Sequence, residues 1–272
     1  MMKPLAPLFN MNKEFFSDSI RRLITSPDGT PKQHDAQRLS PLITHACINL
    51  FPYIFHWLPE LADELTTELI ESGDETKELM GAWLVFCESF RNDVYIDKAN
   101  KLSSISVDHR RLLAAVTGGA INWAENRHRV EALLKGFFFD EDKQVRTNAT
   151  GAFRNIKAKE VELYRDIVAA FLKSPAFMNN GFAVLTMLKD ATCDVLDLVI
   201  HDSQQVIMNI TEKGNQQGHG DNLHQIQDIL EREYTSSESN AEARGKILDL
   251  IDLMLSHEIY GVDSIVTAHD RW

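Results

Sequence analysis

Apolar residues recur along this chain at intervals of three and four, and few stretches alternate with period two. Leu58, Leu61, Leu65 and Leu69 form one stripe, with Glu60, Asp63, Glu64 and Glu68 on the other faces. Val161, Tyr164, Ile167, Val168 and Phe171 form a second, and Ile247, Leu250, Ile251, Met254 and Leu255 a third. This spacing sets the apolar side chains on one side of a 3.6-residue helix, and that side must be buried. Short polar punctuators separate the stripes: SPDGTP, SGDET, RND, SVD and KSPAF. Connections of this length set consecutive helices antiparallel and side by side. The pattern therefore predicts an all-α fold.

A longer period overlies the helical one. The stretch DEDKQVRTNATGAF, residues 140–153, places Asp142, Val145, Arg146, Ala149, Ala152 and Phe153 as a template. One step of 34 residues back lie Asp108, Ala115 and Gly118; a second step reaches Asp74, Gly81 and Leu84; a third reaches Ser40 and Cys47. One step forward, Ala183 keeps the small position but Ala176 loses the acidic one. An acidic or hydroxyl side chain at a helix N-terminus accepts from backbone N–H groups that have no intrahelical partner. A small residue one to two turns later lets a neighbouring helix approach. Gly118 and Gly119 each cost a helix about 1 kcal/mol relative to Ala, and close packing is the expected compensation.

A period near 34 in a helical pattern predicts stacked helical hairpins. The first helix of each hairpin carries the small residues, and the second is expected over 59–71, 92–103, 126–138 and 158–172. Past residue 190 the register lapses. A long helix from Cys193, a polar loop over 214–222, a helix from Leu223, a second loop over 235–243 and two closing helices around Gly261 suggest a bundle that caps the end of the stack. The expected organisation is an N-terminal helix and linker over 1–33, the repeats over 34–190 and an acidic helical bundle over 191–272.

The residues of 140–153 resemble the signature of HEAT repeats, in the armadillo-type helical-repeat superfamily: an aspartate, then Val-Arg, then two alanines three apart. In the other copies Arg111-Leu112 and Lys77-Glu78 stand where the Val-Arg pair would be. The resemblance implies a short right-handed α-solenoid with a C-terminal capping bundle. It implies structural roles for Asp142 and Arg146, which cap and cross-link repeats, for Asp74 and Asp108 as caps, and for Ala149 as the small packing residue. In this family the second helices line an inner surface that holds partners. On those helices the polar positions opposite the apolar stripes are Asp63, Thr67, Asp97, Lys101, Glu131, Lys135 and Arg165, the expected protein-contact face. The closing stretch also resembles the C-terminal ends of larger bacterial signalling NTPases with helical-repeat sensor regions, which implies a place in a bacterial defence or signalling assembly.

Composition narrows the function. With 28 basic and 40 acidic residues the chain carries −12, which repels phosphate backbones and disfavours nucleic acid as a partner. Residues 201–272 hold 13 acids and 5 bases, a net of −8. Three scattered cysteines, no secretory pattern at the N-terminus and no 18-residue apolar run predict a cytoplasmic chain without a membrane span. No phosphate-binding loop or nucleophile elbow occurs. His219, Asp221 and His224 lack the further ligands of a zinc site. The lone His257-Glu258 dipeptide falls short of the repeated His-Glu pairs of HEAT-like iron hydroxylases. Cys193, beside Val195 and Leu196, suggests a buried thiol. Trp57, Trp83 and Trp123 sit among apolar residues and suggest core. The expected function is a non-enzymatic protein-interaction scaffold or sensor, with no catalytic residue, metal or cofactor. The alternative is an enzyme on a helical-repeat scaffold, of DNA glycosylase or lyase type.

Overall fold

The computed structural model describes residues 54–200 except 57 and 123, residues 220–259, and the isolated positions Asp18, Gln204, Val262, Ile265 and Thr267. Among the described residues every regular element is helical. In chain order they include α1 (Pro59–Ile70), α2 (Glu75–Glu88), α3 (Ile96–Ser103), α4 (Val107–Ala120), α5 (Arg127–Phe137), α6 (Lys143–Ala149), α7 (Arg165–Leu172), α8 (Phe177–Lys189), α9 (Gly220–Ser236) and α10 (Ala241–Ser256). Single 3-10 stretches precede α3 (Asp93–Tyr95), follow α6 (Thr150–Arg154) and precede α7 (Ala158–Tyr164). The helix expected over 158–172 therefore begins as a tighter 3-10 coil, and α9 starts at Gly220, inside the expected polar loop. Ser40, Cys47, Trp57, Trp123 and Trp272, with the proposed N-terminal segment, lie outside the described residues. The described helices contain none long and apolar enough to cross a membrane.

The chain forms two compact units, residues 1–116 and 117–272. Their boundary falls inside α4.

In the first unit, α1 opens with Pro59 at its first position and Glu60 in its first turn, a residue with no N–H to lose followed by an anion at the positive end of the dipole. It buries Ala62, Leu65, Thr66 and Leu69. The turn to α2 passes through Gly73 at φ 71°, a backbone state that a side chain disfavours. Helix α2 is buried on most of its circumference, through Met80, Gly81, Ala82, Leu84, Val85 and Phe86. The two helices close on each other at Gly81, where a Cβ would stand 2.9 Å from Leu69 Cβ and Ile70 Cγ1 and 3.1 Å from the Thr66 carbonyl. Around this contact Ile54, Phe55, Leu58, Leu65, Leu69, Met80, Leu84 and Tyr95 form a continuous core, with Trp83 partly buried against it. The Tyr95 ring meets Phe55 edge-on at 4.9 Å, and its burial, with Asp63 and Glu88 nearby, pushes the phenol up from its usual range.

In the second unit α5 packs on α6 and α7, α7 on α8, α8 on α9, and α9 on α10. Phe138, Phe153, Phe171 and Phe177 form its aromatic centre, with neighbouring rings 4.7–5.9 Å apart. The two glycines of α4 differ sharply. A Cβ on Gly118 would stand 3.1 Å from the Ala152 nitrogen and from the Asn148 carbonyl oxygen, while one on Gly119 would meet nothing within 4 Å. Close approach thus explains Gly118 alone. Ala115 and Ala183, at the expected small register, are exposed; Ala149 is fully buried.

Two substitutions separate these roles. Gly118→Ala should destabilise the chain by about 1–3 kcal/mol, because the obstructing atoms are backbone. Gly119→Ala should stabilise it by up to about 1 kcal/mol through helix propensity. Urea denaturation of the two variants checks both signs.

Candidate interaction face and cavity

The polar positions of the expected contact face do not share one fate. In the first unit, Lys98 of α3 reaches across to α1, where its ammonium donates to Asp63 Oδ1 at 2.7 Å and to the Thr67 hydroxyl at 3.4 Å. Asp63 and Thr67 are therefore held to the neighbouring helix. Asp97 and Lys101 stand exposed on α3 and make no side-chain bond to one another or to other described residues.

In the second unit, Glu131 accepts from Arg127 Nε at 2.7 Å. The same guanidinium donates to the Leu163 carbonyl at 2.8 Å and lies 4.4 Å from the centre of the Tyr164 ring. Lys135 faces Asp166 at 3.8 Å. Arg165 donates to Glu162 at 2.9 Å and to the Asp194 carbonyl; its hydrogen bond to Glu162 holds its charge above the usual arginine range. Lys135 and Arg165 thus reach neighbouring elements, while Glu131 pairs along its own helix.

The expected repeat residues divide in a similar way. Asp74 Oδ1 accepts from Lys77 N at 3.0 Å and caps α2. Asp142 Oδ1 accepts from Val145 N at 2.9 Å and caps α6. Asp108 lies inside the first turn of α4 and pairs with Arg111 at 2.8 Å. There the Ser106 hydroxyl accepts from His109 N at 3.3 Å, so the capping position is two residues earlier than the 34-residue step suggests. Arg146 donates to the carbonyls of Asp140 at 2.6 Å and Glu141 at 2.9 Å. These bonds fold back over the loop that leads into its own helix, where the resemblance implied a link between repeats.

A chain of polar contacts crosses the second unit that no side-chain pattern had singled out. Asn155 Nδ2 donates to the Gly118 carbonyl at 3.2 Å, Asn122 Nδ2 donates to the Asn155 carbonyl at 2.6 Å, and Tyr164 donates to Asn122 Oδ1 at 3.1 Å. A signal for it exists: Thr117-Gly118 with Asn122, and Thr150-Gly151 with Asn155, repeat 33 positions apart.

A cavity of about 370 Å³ opens between the 191–196 connection, the end of α9 and the start of α10, and its walls include Cys193, Asp194, Arg232, Glu233, Ser237 and Asn240. Arg232 Nη1 donates to the carbonyls of Leu188 and Ala191, each at 3.0 Å, and to that of Lys189. It caps α8 with a cation at the negative end of that helix. Its remaining donors go to Glu233, so the charge is spent within the wall. Asn240 caps α10 by accepting from Ala243 N at 3.1 Å. Cys193 is a free thiol at intermediate exposure rather than a buried one. Among the described residues no three His, Cys, Asp or Glu side chains gather in a metal-binding group.

No protein-family model matches the chain, and neither a curated protein nor a solved structure matches it.

The division of the ridge into engaged and outward charges is measurable by urea denaturation. Arg165→Glu should cost about 1–2 kcal/mol, since it removes a charged donor from a carbonyl and opposes Glu162. Lys101→Glu should stay within about 0.5 kcal/mol of the parent. Arg232→Ala should cost about 2–3 kcal/mol, because the carbonyls of Leu188, Lys189 and Ala191 and the buried Glu233 carboxylate lose their partner.

Proposed function

We propose that this chain is a non-enzymatic protein-interaction module built on HEAT-like repeats, a short right-handed α-solenoid whose end is capped by the helices after residue 190. One observation carries the reading. Side-chain bonds recur between positions separated by close to the 34-residue step: Lys98 to Asp63 over 35 residues, Asn122 to Asn155 over 33, Arg127 to Leu163 over 36 and Asn155 to Gly118 over 37. Neighbouring hairpins in a stack place equivalent positions side by side, so their contacts fall near one repeat length. The caps at Asp74 and Asp142 stand two steps of about 34 residues apart and fit the same register.

The contact face is the mixed-charge ridge of the second helices, and the partner is another protein. Outward Asp97 and Lys101 are the ridge charges that no neighbouring helix uses. The resemblance of the closing stretch to sensor regions of larger bacterial signalling NTPases supports a regulatory place in a defence or signalling assembly.

Affinity capture with the tagged full chain in its own cells tests this. The parent should retain a specific protein partner, and Lys101→Glu should lower that retention at least tenfold with an unchanged melting temperature. Equal retention by the two would remove the ridge as the contact face, and no specific partner at all would remove the interaction reading.

A further inference from the structure

Asp97 and Lys101 are exposed on α3, with exposed Val94 in the 3-10 stretch before it and exposed Ile105 in the turn after it. Intervals of three, four and four keep them on one side of the coil that runs from the 3-10 turn through α3. The opposite side, Tyr95, Ala99 and Leu102, is buried against the core. Lys98, between the two, turns to Asp63 on α1. Val94 and Ile105, at the two ends of this side, are aliphatic side chains 80% and 58% exposed.

The order along this side is apolar, acid, base, apolar. Read backwards it is apolar, base, acid, apolar, which is its own electrostatic complement. Two copies laid antiparallel about a twofold axis near residues 99–100 would set each Asp97 against the other copy's Lys101 and each Val94 against the other copy's Ile105. A parallel arrangement would instead set Asp97 on Asp97 and Lys101 on Lys101. A self-complementary patch of this kind is what an isologous dimer requires. Exposed Asn100, beside the axis, carries both a donor and an acceptor and can meet its own copy without an unpaired group.

We infer that the outward side of α3, Val94–Asp97–Lys101–Ile105, is a homodimer contact, occupied by the same side of a second copy of this chain. The inference rests on the interaction reading and names the occupant of one part of its ridge. One short helix per partner buries well under the roughly 1,200 Å² of a standard interface, which places the dimer among weak, transient contacts.

Sedimentation of the full chain from about 10 μM to about 1 mM, a range that brackets such affinities, tests it with charge-swapped variants. The parent should shift from monomer to dimer over that range. Asp97→Lys alone and Lys101→Asp alone should each lower the association constant tenfold or more, since each sets like charges against one another twice. An equimolar mixture of the two single variants should associate again, because every facing pair is then opposite in sign, and the double variant D97K/K101D should also recover. Far-UV circular dichroism and melting of each variant confirm that it is folded; if either single variant fails to fold, Val94→Ser and Ile105→Ser should weaken the parent dimer in its place. A parent that stays monomeric at 1 mM overturns the inference, as does association that no variant changes or a mixture that fails to recover. Should the parent be monomeric while capture of a different protein still depends on Lys101, the homodimer fails and the interaction reading stands.

Discussion

A short helix leaves the carbonyls of its last turn without intrahelical donors, and in this chain side chains of neighbouring elements donate to some of those carbonyls and to carbonyls of the connections. Arg232 of α9 takes the carbonyls of Leu188 and Lys189 at the end of α8 and that of Ala191 in the connection beyond it. Arg127 and Arg165, each at the start of its own helix, take the carbonyls of Leu163 and Asp194. Asn155 takes Gly118, and Asn122 takes Asn155. Helices of eight to eleven residues, such as α5 and α7, have little stability by themselves. Bonds of this kind tie each to the element beside it and fix the lateral register in a way that apolar contact, which is non-directional, does not.

The close approaches depend on the same economy of backbone. At Gly118 the backbone of α4 comes against Asn148 and Ala152 with no side chain between them. That proximity brings the Gly118 carbonyl within reach of Asn155. The 3-10 stretch at Thr150–Arg154 lies at the same contact, and Thr150 and Gly151 are weak helix formers, so α6 ends after seven residues. In the first unit Gly81 plays the corresponding part between α2 and α1, over side-chain atoms of Leu69 and Ile70 as well as backbone.

Charge in this protein serves the frame before it serves any surface. Of the seven ridge positions that the helical pattern nominated, Asp63, Thr67, Glu131, Lys135 and Arg165 bond across or along helices, while Asp97 and Lys101 stay outward. The cavity beside Cys193 shows the same economy, since the cation in its wall is matched by Glu233 and by carbonyls. The candidate contact face is consequently narrower than periodicity alone suggested.

Helical periodicity, short connections and the capping aspartates are local properties, and the sequence by itself determined them: the helices near 59–71 and 126–138, the caps at Asp74 and Asp142, and the all-helical character follow from neighbours a few positions apart. The 34-residue step also marked Gly81 and Gly118 before any contact was known. What only the tertiary structure decided is where each long side chain goes. A guanidinium or ammonium on a flexible stem can reach its own loop, the next helix or solvent at similar cost, and nothing local distinguishes Arg146, which folds back, from Arg165, which reaches onward. The 34-residue step singles out Gly118 and not Gly119, but only the packed helices show what lies opposite Gly118 and that nothing lies opposite Gly119. Those choices are set by atoms distant in the chain, and they appear only once the helices are packed.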